Sequence, residues 1–153
     1  MSTQVYRLLA VDDVPDNLFL LQTILEMEGF VVDVATSGST ALRKIKAAPP
    51  DLILLDVMMP GMNGYEVTQQ IRQDDSLPSI PILLISANDE VSALRGIELG
   101  ANDFIRKPID FNELLNRVRT YLRLNHSIET DKVDLDPIEP DAITSGNAVQ
   151  PLR

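Results

Sequence analysis

The stretch Leu52–Gly64 reads LILLDVMMPGMNG, and it decides the fold. Four apolar residues run directly into one carboxylate, Asp56, and the turn formers Pro60 and Gly61 follow it. An uninterrupted apolar run of this length is typical of a strand that is buried on both faces, as in a parallel sheet. We therefore predict a buried strand that places Asp56 at its carboxyl end, at the edge of the core.

Similar runs recur along the first 126 residues, and segments of helical period separate them. The other predicted strands are Val5–Val11, Val31–Ala35, Ile82–Ser86 and Phe104–Arg106. Between the strands, apolar residues recur at three- and four-residue spacing, as expected for helices that pack on a sheet. The alternation predicts an α/β fold, a doubly wound parallel sheet of five strands with helices on both faces.

Charge and composition exclude several classes of protein. The net charge of −10 opposes non-specific nucleic-acid binding, so we expect no nucleic-acid partner. There is no cysteine, which excludes disulfides and thiolate metal sites. The N-terminal sequence lacks the basic and apolar regions of a signal peptide, and no apolar run approaches the length of a membrane span. We therefore expect a cytoplasmic protein without a membrane partner.

The chain changes character near residue 126. Ser127–Arg153 contains three prolines, six acidic and two basic side chains, and few large apolar residues. A segment of this composition cannot bury enough apolar surface to offset its loss of conformational entropy. We predict one domain over residues 1–126 and an acidic, disordered tail over residues 127–153.

Three carboxylates follow two of the predicted strands. Asp12 and Asp13 follow RLLAV, and Asp56 follows LILL. The carboxyl ends of parallel strands share one edge of the sheet, so the three residues converge if the first and third strands are neighbours. Their mutual repulsion is relieved by a hard divalent cation, and an all-oxygen set of this size suits Mg²⁺. The alternative for Asp12 and Asp13 is an ordinary role as helix cap or turn former.

Two further polar residues end strands at the same edge. Ser86 closes ILLIS, and Lys107 lies in ANDFIRKP after the fifth strand. Taken alone, Ser86 is more typical of a cap and Lys107 of a solvated surface charge. Next to a magnesium carboxylate site, they add a hydroxyl donor and a fixed positive charge, which are the groups needed to hold a phosphoryl group during transfer.

With these motifs the chain resembles the receiver domain of bacterial two-component response regulators, which has the CheY-like (flavodoxin-like) fold. The resemblance covers about residues 5–124. It is carried by VDD at Val11–Asp13, LLDVMMPGMNG around Asp56, LLISA around Ser86 and ANDFIRKP around Lys107. It implies the strand order 2-1-3-4-5.

The resemblance also implies roles for the site residues. Asp56 would accept a phosphoryl group from the phosphohistidine of a sensor histidine kinase or a histidine phosphotransfer protein. Asp13 and Asp56 would ligate Mg²⁺ directly and Asp12 through water, and the backbone carbonyl of Met58 would complete the protein ligands. Lys107 would pair with the phosphoryl oxygens. The protein would then be a signalling protein that catalyses its own phosphorylation and dephosphorylation, and not a conventional enzyme.

The family's switch maps onto Ser86 and Phe104. Ser86 would move toward the phosphoryl group, and Phe104, where tyrosine is commoner, would turn inward. The face made by the fourth helix, fifth strand and fifth helix would change, and would bind a downstream protein or a second copy of the chain. Kinases would dock at the first helix, where Asp16, Asn17 and Leu18 are the residues that could meet them.

Two smaller features come with the resemblance. The Lys107–Pro108 bond would be cis. Pro60 and Gly61 would form the turn beneath the site, and Gly64 would allow close approach of the backbone.

Alternative functions stay open at this point. The chain could be a receiver cut from a longer regulator, or a pseudo-receiver. A magnesium-dependent phosphatase of the haloacid-dehalogenase type also uses an aspartyl-phosphate, but it needs an aspartate two residues after the nucleophile, where this chain has Met58. A nucleotide- or flavin-binding module needs a glycine-rich turn after the first strand, and the turn here is DDVPDN.

Overall fold

Strands and helices alternate along the chain in the computed structural model, which describes residues 4–87 and 90–133. The elements are β1 Arg7–Val11, α1 Pro15–Met27, β2 Val31–Ala35, α2 Gly38–Ala47, β3 Leu52–Asp56, α3 Gly64–Gln73, β4 Ile82–Ser86, α4 Glu90–Glu98, β5 Asp103–Arg106 and α5 Phe111–Val133. The five strands pair in parallel in the order β2-β1-β3-β4-β5. The predicted α/β class and strand order are confirmed.

The two central strands explain why their sequences are apolar throughout. Every residue of β3 and of β4 is buried. One apolar cluster packs beneath α1 and α5, and a second packs beneath α2 and α3 on the opposite face. Leu18 of α1 is only 4% exposed and belongs to the first cluster, whereas its neighbour Leu20 is 49% exposed. Leu18 is therefore a core residue and is not available to meet a partner.

The helix starts follow local capping chemistry. α3 begins with a complete capping box, in which the Asn63 side chain accepts from the Glu66 backbone and the Glu66 side chain accepts from the Asn63 backbone. At α5, Asp110 accepts from the backbone N–H groups of Asn112 and Glu113. The Glu113 carboxylate instead accepts from Arg117 at 2.7 Å, one turn further along the helix.

The last helix extends beyond the predicted domain boundary at residue 126. α5 ends at Val133. The compact unit that carries the sheet ends at Leu122. The predicted disorder of the acidic tail concerns mostly residues 134–153, which lie outside the described residues. Along the described part of the chain, none of the helices combines the length and apolar character that a membrane crossing requires.

Both edge strands carry the same side-chain arrangement. On β5, Asp103 Oδ1 accepts from the Phe104 N–H at 2.8 Å, and Arg117 Nη1 donates to Asp103 Oδ1 at 2.7 Å and to the Phe104 carbonyl at 3.1 Å. On β2, Asp33 Oδ1 accepts from the Val34 N–H at 2.9 Å. The matching donor is the Lys44 ammonium of α2, at 3.0 Å from Asp33 Oδ1 and 2.7 Å from the Val34 carbonyl.

Candidate functional site

The strand order brings the three predicted carboxylates together. β1 pairs directly with β3, and Val11 lies opposite Leu55, so the residues that follow them meet at the carboxyl edge. Asp12, Asp13 and Asp56 each offer an oxygen, and these oxygens lie within 4.8 Å of one another. Asp12 and Asp56 are both buried, and Asp13 is partly exposed. The convergence expected from the sequence is therefore present.

Lys107 supplies the positive charge of this cluster. Its ammonium lies 3.3 Å from Asp56 Oδ1 and 4.0 Å from Asp12 Oδ2. Its backbone N–H donates to the Ser86 carbonyl at 2.9 Å, which fixes the loop after β5 against the end of β4. Lys107 is thus one of the groups that form the site and is not a solvated surface charge.

The surroundings of Asp56 make its charged form costly. Burial raises the pKa of the Asp56 carboxyl, and the neighbouring Asp12 raises it further, while Lys107 lowers it. Oδ1 of Asp56 is buried and, among the described residues, accepts no hydrogen bond of good geometry. A buried carboxylate oxygen that accepts no hydrogen bond, within a cluster of carboxylates, is a suitable ligand for a hard cation. The donor set matches Mg²⁺.

Ser86 and Phe104, the predicted switch residues, lie on the neighbouring strands β4 and β5. Ser86 is fully buried at the end of β4, and β4 pairs with β3 so that Ile85 lies opposite Asp56. Phe104 is partly buried and packs against the apolar cluster beneath α2 and α3. Met58 follows Asp56 by two residues, and its side chain is exposed, at 64%.

The loop between β3 and α3 has little spare room. A β-carbon on Gly64 would lie 2.5 Å from the carbonyl oxygen of Asp56 and 2.8 Å from Cα of Val57. The φ angle of Gly61 is +76°, a backbone conformation that residues with a side chain rarely adopt. The Lys107–Pro108 peptide bond is cis. These three features agree with what the resemblance implies.

One residue of the site was not predicted from the sequence in this role. The Asn17 side-chain amide donates to Asp12 Oδ2 at 3.1 Å, and the Val14 backbone N–H donates to Asp12 Oδ1 at 2.9 Å. Asp12 is therefore a turn former as well as a member of the carboxylate cluster. The spacing of Asp12 and Asn17 around a helix start is the only sequence signal that could have indicated this contact.

A cavity of about 310 Å³ opens beside the cluster, between α1 and the loop that follows β5. Asp12, Asn17 and Lys107 line one part of it. Apolar side chains line the rest, including Leu20 and Ile109. An apolar cavity that is continuous with a charged site is a typical place for a partner or ligand to bind.

Comparison with known proteins agrees with this geometry. The sequence model of the family described as "Response regulator receiver domain" matches residues 8–119. The chain is 38% identical over 141 residues to the DNA-binding response regulator MtrA of Mycolicibacterium smegmatis, which covers 92% of this chain and 61% of that protein. It is 43% identical over 124 residues to the response regulator PleD of Caulobacter vibrioides, which covers 80% of this chain and 27% of that protein.

Solved structures show the same likeness. The chemotaxis protein CheY4 of Vibrio cholerae superposes with a TM-score of 0.72 at 28% identity, over 77% of this chain and 99% of that chain. A response regulator receiver domain protein (CheY-like) of Methanospirillum hungatei superposes with a TM-score of 0.75 at 26% identity. The superposition covers 81% of this chain and 98% of that chain.

The relatives bear on two expectations. This chain spans less than two thirds of the length of MtrA and about a quarter of PleD. The name of MtrA describes it as DNA-binding, so the expectation that this chain has no nucleic-acid partner finds no support among the relatives.

Proposed function

The chain belongs to the response regulator receiver family, and from this premise we propose that it accepts a phosphoryl group on Asp56 and passes the signal to a partner through the face formed by α4, β5 and α5. The observation that carries the proposal is the cluster of Asp12, Asp13 and Asp56 with the Lys107 ammonium 3.3 Å from Asp56 Oδ1. A carboxylate, a metal-binding set and a fixed cation at one point are the groups that phosphoryl transfer requires.

The proposed chemistry is covalent. A carboxylate oxygen of Asp56 attacks phosphorus in line, the new P–O bond forms, and the P–N bond to the donor histidine breaks with the imidazole leaving. Bound Mg²⁺ would neutralise phosphoryl oxygens during this step, held by Asp13, Asp56 and the Met58 carbonyl, with Asp12 acting through water. Lys107 then pairs with the phosphoryl oxygens instead of the carboxylate. The same groups would serve hydrolysis of the aspartyl-phosphate, so the chain catalyses its own phosphorylation and dephosphorylation.

The proposed readout uses Ser86 and Phe104. Ser86 is buried at the end of β4, next to β3, and its hydroxyl would donate to a phosphoryl oxygen. Phe104 lies on the neighbouring strand and is partly buried, and in the proposed readout its ring turns inward. On α4, Leu94 and Ile97 are exposed apolar residues at 63% and 45%, as expected for a surface that binds a downstream protein or a second copy of the chain.

The proposed phosphodonor is a sensor histidine kinase or a histidine phosphotransfer protein, in the cytoplasm. The cavity described above lies beside the carboxylate cluster and is bordered by α1 and the loop after β5. A donor that docks at this cavity would contact exposed residues of α1, among which are Asp16 and Phe19. Leu18 is excluded from this contact because it is buried.

Phosphorylation by acetyl phosphate tests the proposal. With Mg²⁺ we expect intact-mass spectrometry under mild conditions to show the gain of one phosphoryl group, and we expect none in Asp56→Asn. An unmodified wild-type chain, or an equal gain in the variant, would contradict the proposal. The phosphatase alternative is not favoured, because Met58 stands where a general acid is needed. Sustained hydrolysis of a phosphomonoester that Asp56→Asn abolishes would restore it.

A further inference from the structure

Asn17 occupies an unusual place at the start of α1. The helix begins at Pro15, its N-cap is Val14, and no side chain caps its backbone donors at that position. Asn17 is the third helical residue, where a polar side chain commonly bonds back to the N-cap backbone. Its amide instead donates to the Asp12 carboxylate at 3.1 Å, two residues before the cap. The side chain therefore serves the carboxylate cluster and not the helix end.

Both oxygens of Asp12 are engaged by this helix start. Oδ1 accepts from the Val14 N–H at 2.9 Å, and Oδ2 accepts from the Asn17 amide. Two donors on different oxygens fix the rotation of the Asp12 carboxylate about its Cβ–Cγ bond. Asp12 itself is only 4% exposed, whereas Asn17 lies at the exposed start of the helix. The orientation of Asp12 thus depends on Asn17.

The same oxygen of Asp12 also faces Lys107. The ammonium lies 4.0 Å from Asp12 Oδ2 but 3.3 Å from Asp56 Oδ1. A hydrogen bond from Asn17 reduces the negative potential at Oδ2, and so reduces its attraction for the ammonium. Without that bond, the free Oδ2 would carry a more negative potential and would compete with Asp56 for Lys107.

We propose that Asn17 is a positioning residue of the metal site, which holds Asp12 in the orientation that Mg²⁺ binding needs and leaves Lys107 paired with Asp56. This inference rests on the proposed function, because it assigns Asp12 to the metal site. It gives Asn17 a role inside the site, distinct from the surface contact with a kinase that the sequence analysis suggested. Outer contacts of this kind typically govern metal affinity as strongly as some ligands do.

Magnesium binding to the whole chain tests the proposal without any phosphoryl transfer. Asn17→Leu keeps the size of the side chain but removes the donor, and we expect calorimetry to show about 10-fold weaker Mg²⁺ binding. Asn17→Gln keeps an amide and should recover most of the affinity. Gln22→Leu is the matched control, because Gln22 lies on the same helix and its amide contacts Glu26 and the Val32 carbonyl instead of the site. Its Mg²⁺ affinity should equal that of the wild type.

The dependence of the phosphorylation rate on Mg²⁺ separates positioning from direct contact. We expect Asn17→Leu to need about 10-fold more Mg²⁺ for half-maximal rate and to regain the wild-type rate with acetyl phosphate at saturation. Unchanged affinity in Asn17→Leu, or a rate that stays low at saturating Mg²⁺, would overturn the proposal. If the wild type binds Mg²⁺ but is not phosphorylated, the proposed function fails while the affinity comparison still decides the role of Asn17.

Discussion

A β-carbon on Gly64 would lie 2.5 Å from the carbonyl oxygen of Asp56, so the first turn of α3 packs directly onto the backbone of the proposed phospho-acceptor. We predict that Gly64→Ala lowers the free energy of unfolding by about 2 kcal/mol, because the contact is with backbone that cannot move aside. Urea denaturation measures this. Gly61→Asn is the comparison: its φ is +76°, nothing lies within 4 Å, and asparagine tolerates this conformation, so a cost below about 1 kcal/mol is expected. If Gly64→Ala and Gly61→Asn lowered the free energy of unfolding equally, the steric explanation would be wrong.

The charge of Asp56 should destabilise the metal-free protein. Because the pKa of Asp56 is raised in the folded chain, the folded state holds the proton more tightly than the unfolded state does. Stability is then highest below the ordinary carboxyl pKa of 3.8 and falls as the pH rises through the raised pKa. We predict that Asp56→Asn in EDTA at pH 7 is more stable by about 1 kcal/mol, a rise of a few degrees in Tm.

Two conditions check the cause of that difference. It should shrink as the pH is lowered through the raised pKa toward 3.8, because the wild-type carboxyl takes up its proton over this range. Adding Mg²⁺ should stabilise the wild type more than Asp56→Asn, because a ligand stabilises only the state that binds it. A difference that is independent of both pH and Mg²⁺ would mean that the charge is not its cause.

Lys107 should be needed for signalling and not for metal binding. Removing its positive charge does not remove any metal ligand, so we predict that Lys107→Ala still binds Mg²⁺ with at least wild-type affinity. Beryllofluoride, which imitates a phosphoryl group, should then shift the NMR signals of Phe104 and α4 in the wild type but not in Lys107→Ala. Lys46→Ala, an exposed lysine on α2, should respond as the wild type does. Equal shifts in Lys107→Ala would show that the assigned role is wrong.

Arg117 should stabilise β5 and not merely the surface of α5. It bonds Asp103, the Phe104 carbonyl and Glu113, so we predict that Arg117→Met costs about 1 to 2 kcal/mol of unfolding free energy and speeds hydrogen exchange at the Phe104 amide. Arg119→Met should cost less than about 1 kcal/mol, because Arg119 makes an exposed pair with Glu28. Unchanged hydrogen exchange at the Phe104 amide in Arg117→Met would contradict this stabilising role of Arg117.

The residues that sequence reasoning located correctly are those whose environment follows from strand pattern. LILL and ILLI are apolar on both faces, which predicts two-sided burial and, with it, an edge where Asp56 and Ser86 must emerge. The pairing of β1 with β3 then places Asp12 and Asp13. These positions depend on the order of the strands and not on details of side-chain packing.

The contacts that were not predicted from the sequence are those in which several side chains compete for the same hydrogen-bond partner. The capping box of Asn63 and Glu66 has a visible sequence signature that was passed over. Asp110 and Glu113 have capping-box spacing, but only half of that box forms, because the Glu113 carboxylate accepts from Arg117. The hydrogen bond from Asn17 to Asp12 could not be predicted from the sequence. An asparagine at a helix start can bond to several nearby groups with similar energy, and only the folded geometry selects Asp12.

The matching arrangements on β2 and β5 affect how readily the edge strands can pair with another molecule. At Val34 and at Phe104 the outward peptide groups are already bonded to side chains of the same chain. An incoming strand from another molecule would have to displace an aspartate and a cation at either margin before it could pair there. At Val34 and Phe104 these side-chain bonds thus oppose pairing of the edge strands with another molecule, which is one way in which sheet edges are protected from aggregation.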